Sequence, residues 1–181
     1  MSFRVLPPVL IAVVLTVFAS SSQGQTSPST RLSLQDLPGV KVTVSPLAAG
    51  IEKDGLSAQL FDNTVTAKLK AAGIPILSAT EMHETRRRPE LVIDVGLLRL
   101  DTDEYVYSIR VSLRQEVASL ERIGRPIETA IQVSAITWSS PNVFGIVPAD
   151  QMAPEGKKIV ERLTDEFAAV FKKANPGGNS P

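Results

Sequence analysis

The chain has 181 residues, 19 Lys and Arg against 19 Asp and Glu, one histidine and no cysteine. Balanced charge leaves no global field to draw nucleic acid or anionic lipid. Without cysteine, thiol chemistry, disulfide cross-links and lipoprotein-type lipidation are excluded, and any triad or histidine-based metal site would depend on His83 alone.

Met1 to Arg4 carry one positive charge, Val9 to Ala19 are almost continuously apolar, and Ser20 to Gln25 turn small and polar. That order is a secretory signal, with Ser22 and Gly24 placed for a cut before Gln25. The run is shorter than the roughly 20 apolar residues a membrane span needs. Residues 1–24 are therefore expected to be a signal peptide, and the mature product to be exported, periplasmic or secreted, with no stable membrane span. Residues 25–38, polar and rich in Ser, Thr and Pro at their start, are expected to be a flexible leader. Residues 39–174 form a single domain, and 175–181 a disordered tail.

Val40, Val42 and Val44 alternate with Lys41 and Thr43, predicting a short strand closed by Pro46. Ser57 caps a following helix, with Leu56 and Phe61 spaced as a hydrophobic staple. Ala58, Phe61, Val65, Leu69 and Ala72 share one side of it, and Gly73 ends it. Ile74 to Leu77 reads as a second strand, and Ser78 to Pro89 as a polar loop. Three long strands follow, with Leu91, Ile93, Val95 and Leu97, then Tyr107, Ile109, Val111 and Leu113, then Ile131, Val133 and Ala135 on one buried face. Asp101-Thr102-Asp103 and Ile123-Gly124-Arg125 are the turns between them. Hairpin pairing then sets Leu97 opposite Tyr107, Ile93 opposite Val111 and Leu113 opposite Ala135. The last helix starts near Pro154 and buries Ile159, Leu163, Phe167 and Val170. The expected fold is α+β, a two-layer α/β sandwich with an antiparallel sheet and two helices on one face, in the order β-α-β-β-β-β-α.

Gly55-Leu56-Ser57, Leu69 to Leu77, Thr137-Trp138-Ser139, and Asp165-Glu166-Phe167 ahead of Asn175-Pro176 together resemble a family of uncharacterised exported bacterial proteins. The layout is also similar, at fold level, to small periplasmic α/β envelope domains such as the amino-terminal domain of the Tol propeller protein and some transport accessory lipoproteins. The resemblance implies export and an envelope setting, and carries no catalytic residue.

No nucleophile elbow, phosphate loop, dinucleotide fingerprint or zinc-protease pattern is present. Glu81-Met82-His83-Glu84 reads as an exposed loop rather than a ligand set, because adjacent residues rarely converge on one ion. Asp101, Asp103 and Glu104 lack the glycine and glutamate that complete a calcium loop, and Arg86-Arg87-Arg88 lacks interleaved aromatics. No catalytic residue, metal or cofactor is expected.

Two features stand out. The register sets Asp94 opposite Arg110 and Arg110 opposite Trp138, a polar recognition row on the open sheet face or a stitch across it. The long stretch from Ser139 to Met152 places Val143, Phe144, Ile146 and Val147 around Gly145 between two prolines. Together with Trp138 these are candidate partner-binding residues if exposed, and a cap on the core if buried. The expected function is a non-catalytic envelope protein that binds a partner or assists assembly, its partner another envelope protein and not nucleic acid. A periplasmic small-molecule binding module and an unrecognised hydrolase are the alternatives.

Overall fold

In the computed structural model, which describes residues 28–118 and 132–177, apolar periodicity is converted into one buried cluster shared by a sheet and its helices. The elements are α1 (Pro28–Leu34), β1 (Lys41–Val44), a 3-10 turn (Glu52–Asp54), α2 (Ala58–Ala71), α3 (Ala79–Glu84), β2 (Glu90–Arg99), β3 (Glu104–Ala118), β4 (Gln132–Ser139), β5 (Val143–Pro148) and α4 (Ala149–Ala174). The proposed signal segment 1–24, the Ile123-Gly124-Arg125 turn and Ile131 lie outside the described residues.

The fold is α+β. Its sheet has five strands in the order β1-β2-β3-β4, with β5 also paired to β3. It is mixed rather than antiparallel, because β1 runs parallel to β2. The two intervening helices return the chain to the end where β1 began, and a parallel strand requires such a crossover. Helices α2 and α4 pack against the sheet. The face they cover buries Leu91, Ile93, Val95, Tyr107, Ile109, Val111 and Leu113 with Phe61, Val65, Leu69, Leu163 and Phe167.

Local signals account for the ends of α2. The Ser57 hydroxyl accepts from Leu60 N–H at 3.1 Å, and Leu56 and Phe61 are both buried. Gly73 has φ +74°, and Ile74 N–H reaches back to Leu69 C=O at 2.9 Å, which is the Schellman closure with its apolar contact.

Several expectations are corrected. Ile74 to Leu77 is not a strand but a single parallel bridge, Val40 to Ile76. Pro75 has no N–H to extend it, and Ser78 at once starts α3 through a capping box with Glu81. Residues 78–89 are thus not all loop. The segment 25–38 is not simply a leader, since α1 occupies part of it and Leu34 and Leu37 are buried in the core. Asn175, assigned to the tail, accepts from Asp36 N–H at 2.9 Å and donates to Leu34 C=O at 3.0 Å. Helix α4 begins at Ala149, so Pro154 lies inside it rather than near its start. The stretch from Ser139 to Met152 is not a long loop: it holds strand β5, with Gly145 at one of the core-facing positions, and the first turn of α4.

Candidate functional site

The β2–β3 register is the one the hairpin parity predicts: Leu97 faces Tyr107, Ile93 faces Val111 and Asp94 faces Arg110. Across β3 the expectation fails. Leu113 faces Trp138 rather than Ala135: the pairing from Ala118–Gln132 to Arg114–Ile136 already stands two residues away from the expected register, with Ala135 opposite Gln115, and Thr137 then adds one bulged residue opposite the Leu113–Arg114 step. One inserted residue reverses the side to which Trp138 points. Its ring meets Phe167 of α4 edge-on at 5.1 Å, so Trp138 belongs to the core face and not to a row with Arg110.

A second irregularity separates β4 from β5. Ser112 pairs with Ser139 and Ile109 with Val143, so Arg110 and Val111 oppose Ser140, Pro141 and Asn142. Ser140 bridges this gap: its N–H donates to Val111 C=O at 2.9 Å, and its hydroxyl accepts from Val111 N–H at 3.0 Å. Strands β4 and β5 thereby follow one another along the single long strand β3.

The outer sheet face, away from α2 and α4, divides into two halves. One is polar and stitched. Asp94 accepts from the Ser45 hydroxyl at 2.6 Å and from Arg110 at 3.1 Å, and pairs with Arg114 at 3.8 Å. Arg114 lies opposite Glu90, so to reach Asp94 it must cross the intervening Val92–Ser112 pair. This crossing accounts for the burial of Val92 and Ser112 on an otherwise open face. Glu90 is held by the Thr43 hydroxyl at 2.7 Å and Lys41 at 3.2 Å. Burial opposes ionisation of Asp94, but the Ser45 hydroxyl and the two guanidiniums outweigh it and hold the carboxyl below the usual aspartate range. Glu90 is likewise lowered: burial is outweighed by Thr43 and Lys41, with a smaller contribution from Arg114.

The other half is apolar. Leu98 pairs with Val106 and Val106 with Ile146, giving one row across three strands, and Phe144 stands beside it opposite Ser108. Their exposures are 62%, 36%, 63% and 70% for Leu98, Val106, Ile146 and Phe144. Of the sequence-derived partner-binding residues, Phe144 and Ile146 lie here, whereas Trp138, Val143 and Val147 turn toward the core and are half-buried against it. The structure does not join these five into one surface. Leu98 and Val106 were missed, although both are even-numbered apolar residues in strands whose buried positions are odd.

The remaining charged candidates are accounted for locally. Glu81 caps α3, and His83 on the same helix is exposed. Arg87 donates to Ser33 C=O at 2.9 Å and also to Gln35 C=O, and Arg88 pairs with Glu116 at 2.7 Å. At the β2–β3 tip, Arg99 bonds Asp103 and lies 2.5 Å from Asp54, which also accepts from the Tyr105 hydroxyl at 2.6 Å. Among the described residues, no three His, Cys, Asp or Glu side chains are grouped to hold a metal.

The fold and its surface define an α+β domain with a mixed sheet, one end of whose outer face is apolar. The chain matches no protein-family model, no curated protein and no solved structure.

Proposed function

We propose that this chain is a non-catalytic, exported envelope protein that docks another protein through the apolar end of its outer sheet face. The observation that carries the reading is the contiguity of Leu98, Val106, Ile146 and Phe144, all at least a third exposed. Contiguous apolar side chains on a sheet surface cost solubility unless a partner covers them. The charged, apolar and then small polar order of residues 1–25 and the resemblance to exported bacterial proteins support the envelope setting. The engagement of Asp94, Arg110, Glu90 and Asp54 in structural pairs supports a binding role over chemistry.

The test compares a carboxy-terminally tagged chain with its Phe144→Ser/Ile146→Ser variant, each recovered from the periplasmic fraction of the native host after cross-linking. The variant should melt nearly as the wild type does, since exposed substitutions usually change stability by only about 0.5 kcal/mol, and it should lose the cross-linked partner. A loss of several kcal/mol, as for buried large side chains, would make these residues part of the core; capture undiminished in a stable variant would move the interface elsewhere.

A further inference from the structure

We infer that the partner is a second copy of the chain, added at the free edge of this apolar end by antiparallel pairing of β5 with β5 about a two-fold axis at Gly145, which sets the two apolar patches side by side in one continuous sheet. The inference rests on the docking reading above and names the partner.

The backbone phase supports it. Ala149 N–H donates to Asp103 C=O at 2.9 Å, in line with the register that pairs Pro148 with Glu104 and Gly145 with Tyr107. Antiparallel pairs alternate between exchanging both hydrogen bonds and exchanging none. Val143, Gly145 and Val147 therefore turn their amides inward to β3, while Phe144 and Ile146 turn theirs to the free edge. The other edges are partly covered: Val40 beside β1 bonds to Pro75 and Leu77 at 3.1 and 2.9 Å, and the Thr137 carbonyl of β4 receives the Ser33 hydroxyl at 3.4 Å. Among the described residues no element is hydrogen-bonded along the outer edge of β5.

A two-fold axis at Gly145 sets Phe144 opposite Ile146 of the second copy, and Ile146 opposite its Phe144. Both are hydrogen-bonding pairs, giving four backbone bonds. Each also sets an aromatic beside a β-branched side chain on the outer face, a favourable cross-strand combination. Exposed edges are commonly defended by charge, yet Val143–Pro148 carries none, so the axis brings no like charges together. Equal numbers of basic and acidic residues in the chain leave little long-range repulsion between copies. Pro141 and Pro148 frame the edge, and Pro148 has no N–H to lengthen the ladder, so the outward residues available are those that self-pairing uses.

The absence of cysteine makes the test clean. Directly opposed residues of a hydrogen-bonded pair have Cα atoms about 5.5 Å apart, within disulfide range, whereas like positions in this register are displaced by two residues to about 7–8 Å. Full-length Phe144→Cys and Ile146→Cys variants, mixed under mild oxidation, should form the mixed disulfide at least tenfold faster than either variant links to itself. Light scattering on the wild type should show a monomer–dimer equilibrium that shifts with concentration. Equal rates in all three cysteine samples, or a wild type that stays monomeric at millimolar concentration, would overturn self-pairing. Capture of a different protein, lost in the double-serine variant of a monomeric chain, would overturn self-pairing while upholding the docking reading.

Discussion

At the residue scale, Asp94 concentrates the electrostatics of the outer face: one carboxylate faces a hydroxyl and two guanidiniums. Because its pKa is lowered on folding, it stabilises the native state fully above the unfolded aspartate value of about 3.9, and that stabilisation is lost as pH falls through the lower folded value. Asp94→Asn should therefore cost about 1 kcal/mol at pH 7, a modest figure because all three charged side chains retain some solvent. Urea titrations of variant and wild type should show the gap closing as the pH is lowered below the unfolded aspartate value. A gap that persists in acid would mean that shape, not charge, is what Asp94 contributes.

At the element scale, the long strand β3 is completed by two short strands and two irregularities. Ser140 is the fixture between them, its hydroxyl standing where a strand would present a carbonyl to Val111 N–H. Ser140→Ala would leave that buried N–H without its acceptor, an omission that typically costs about 1–3 kcal/mol. Hydrogen exchange should show faster exchange at the Val111 amide, with little change at Leu91 or Ile93. The same irregularities explain how far the sequence could be read. Asp94 opposite Arg110 was legible because a tight turn and strict alternation fix a hairpin's parity. Trp138 was not, since the bulge at Thr137 has no local residue signal and one extra residue turns the tryptophan to the other face. Strand β5 carried no polar–apolar alternation, since Phe144 and Ile146 on one side and Val143 and Val147 on the other are all apolar, and its flanking prolines read as loop boundaries. The parallel pairing of β1 was illegible for a different reason: neither strand's alternation encodes the direction of its neighbour.

At the scale of the whole molecule, the helix Pro28–Leu34 and the residues after it belong to the domain rather than preceding it. Leu34 and Leu37 are buried, Arg87 holds carbonyls at the end of α1, and Asn175 clasps the same turn from the far side. Leu34→Ala and Leu37→Ala should each destabilise by roughly 2–5 kcal/mol in urea unfolding, a large fraction of the 5–15 kcal/mol typical of a domain. A dispensable leader would leave the unfolding midpoint in place.

The position of α4 in the chain has a consequence in time. Helix α4 is the last of the described elements and supplies Met152, Ile159, Val160, Leu163, Phe167 and Phe171 to the core. Until it arrives, the inner faces of β2, β3 and β5 have only part of their cover, however early the hairpin pairs. At ribosomal speeds of about 5–20 residues per second, the 26 residues of α4 emerge roughly one to five seconds after β5. Through that interval the growing polypeptide is an incomplete sheet with its apolar side to water, which cannot yet collapse to the native state. Such lateness accords with the export proposed above, since the helix that closes the domain is translated after the strands it covers.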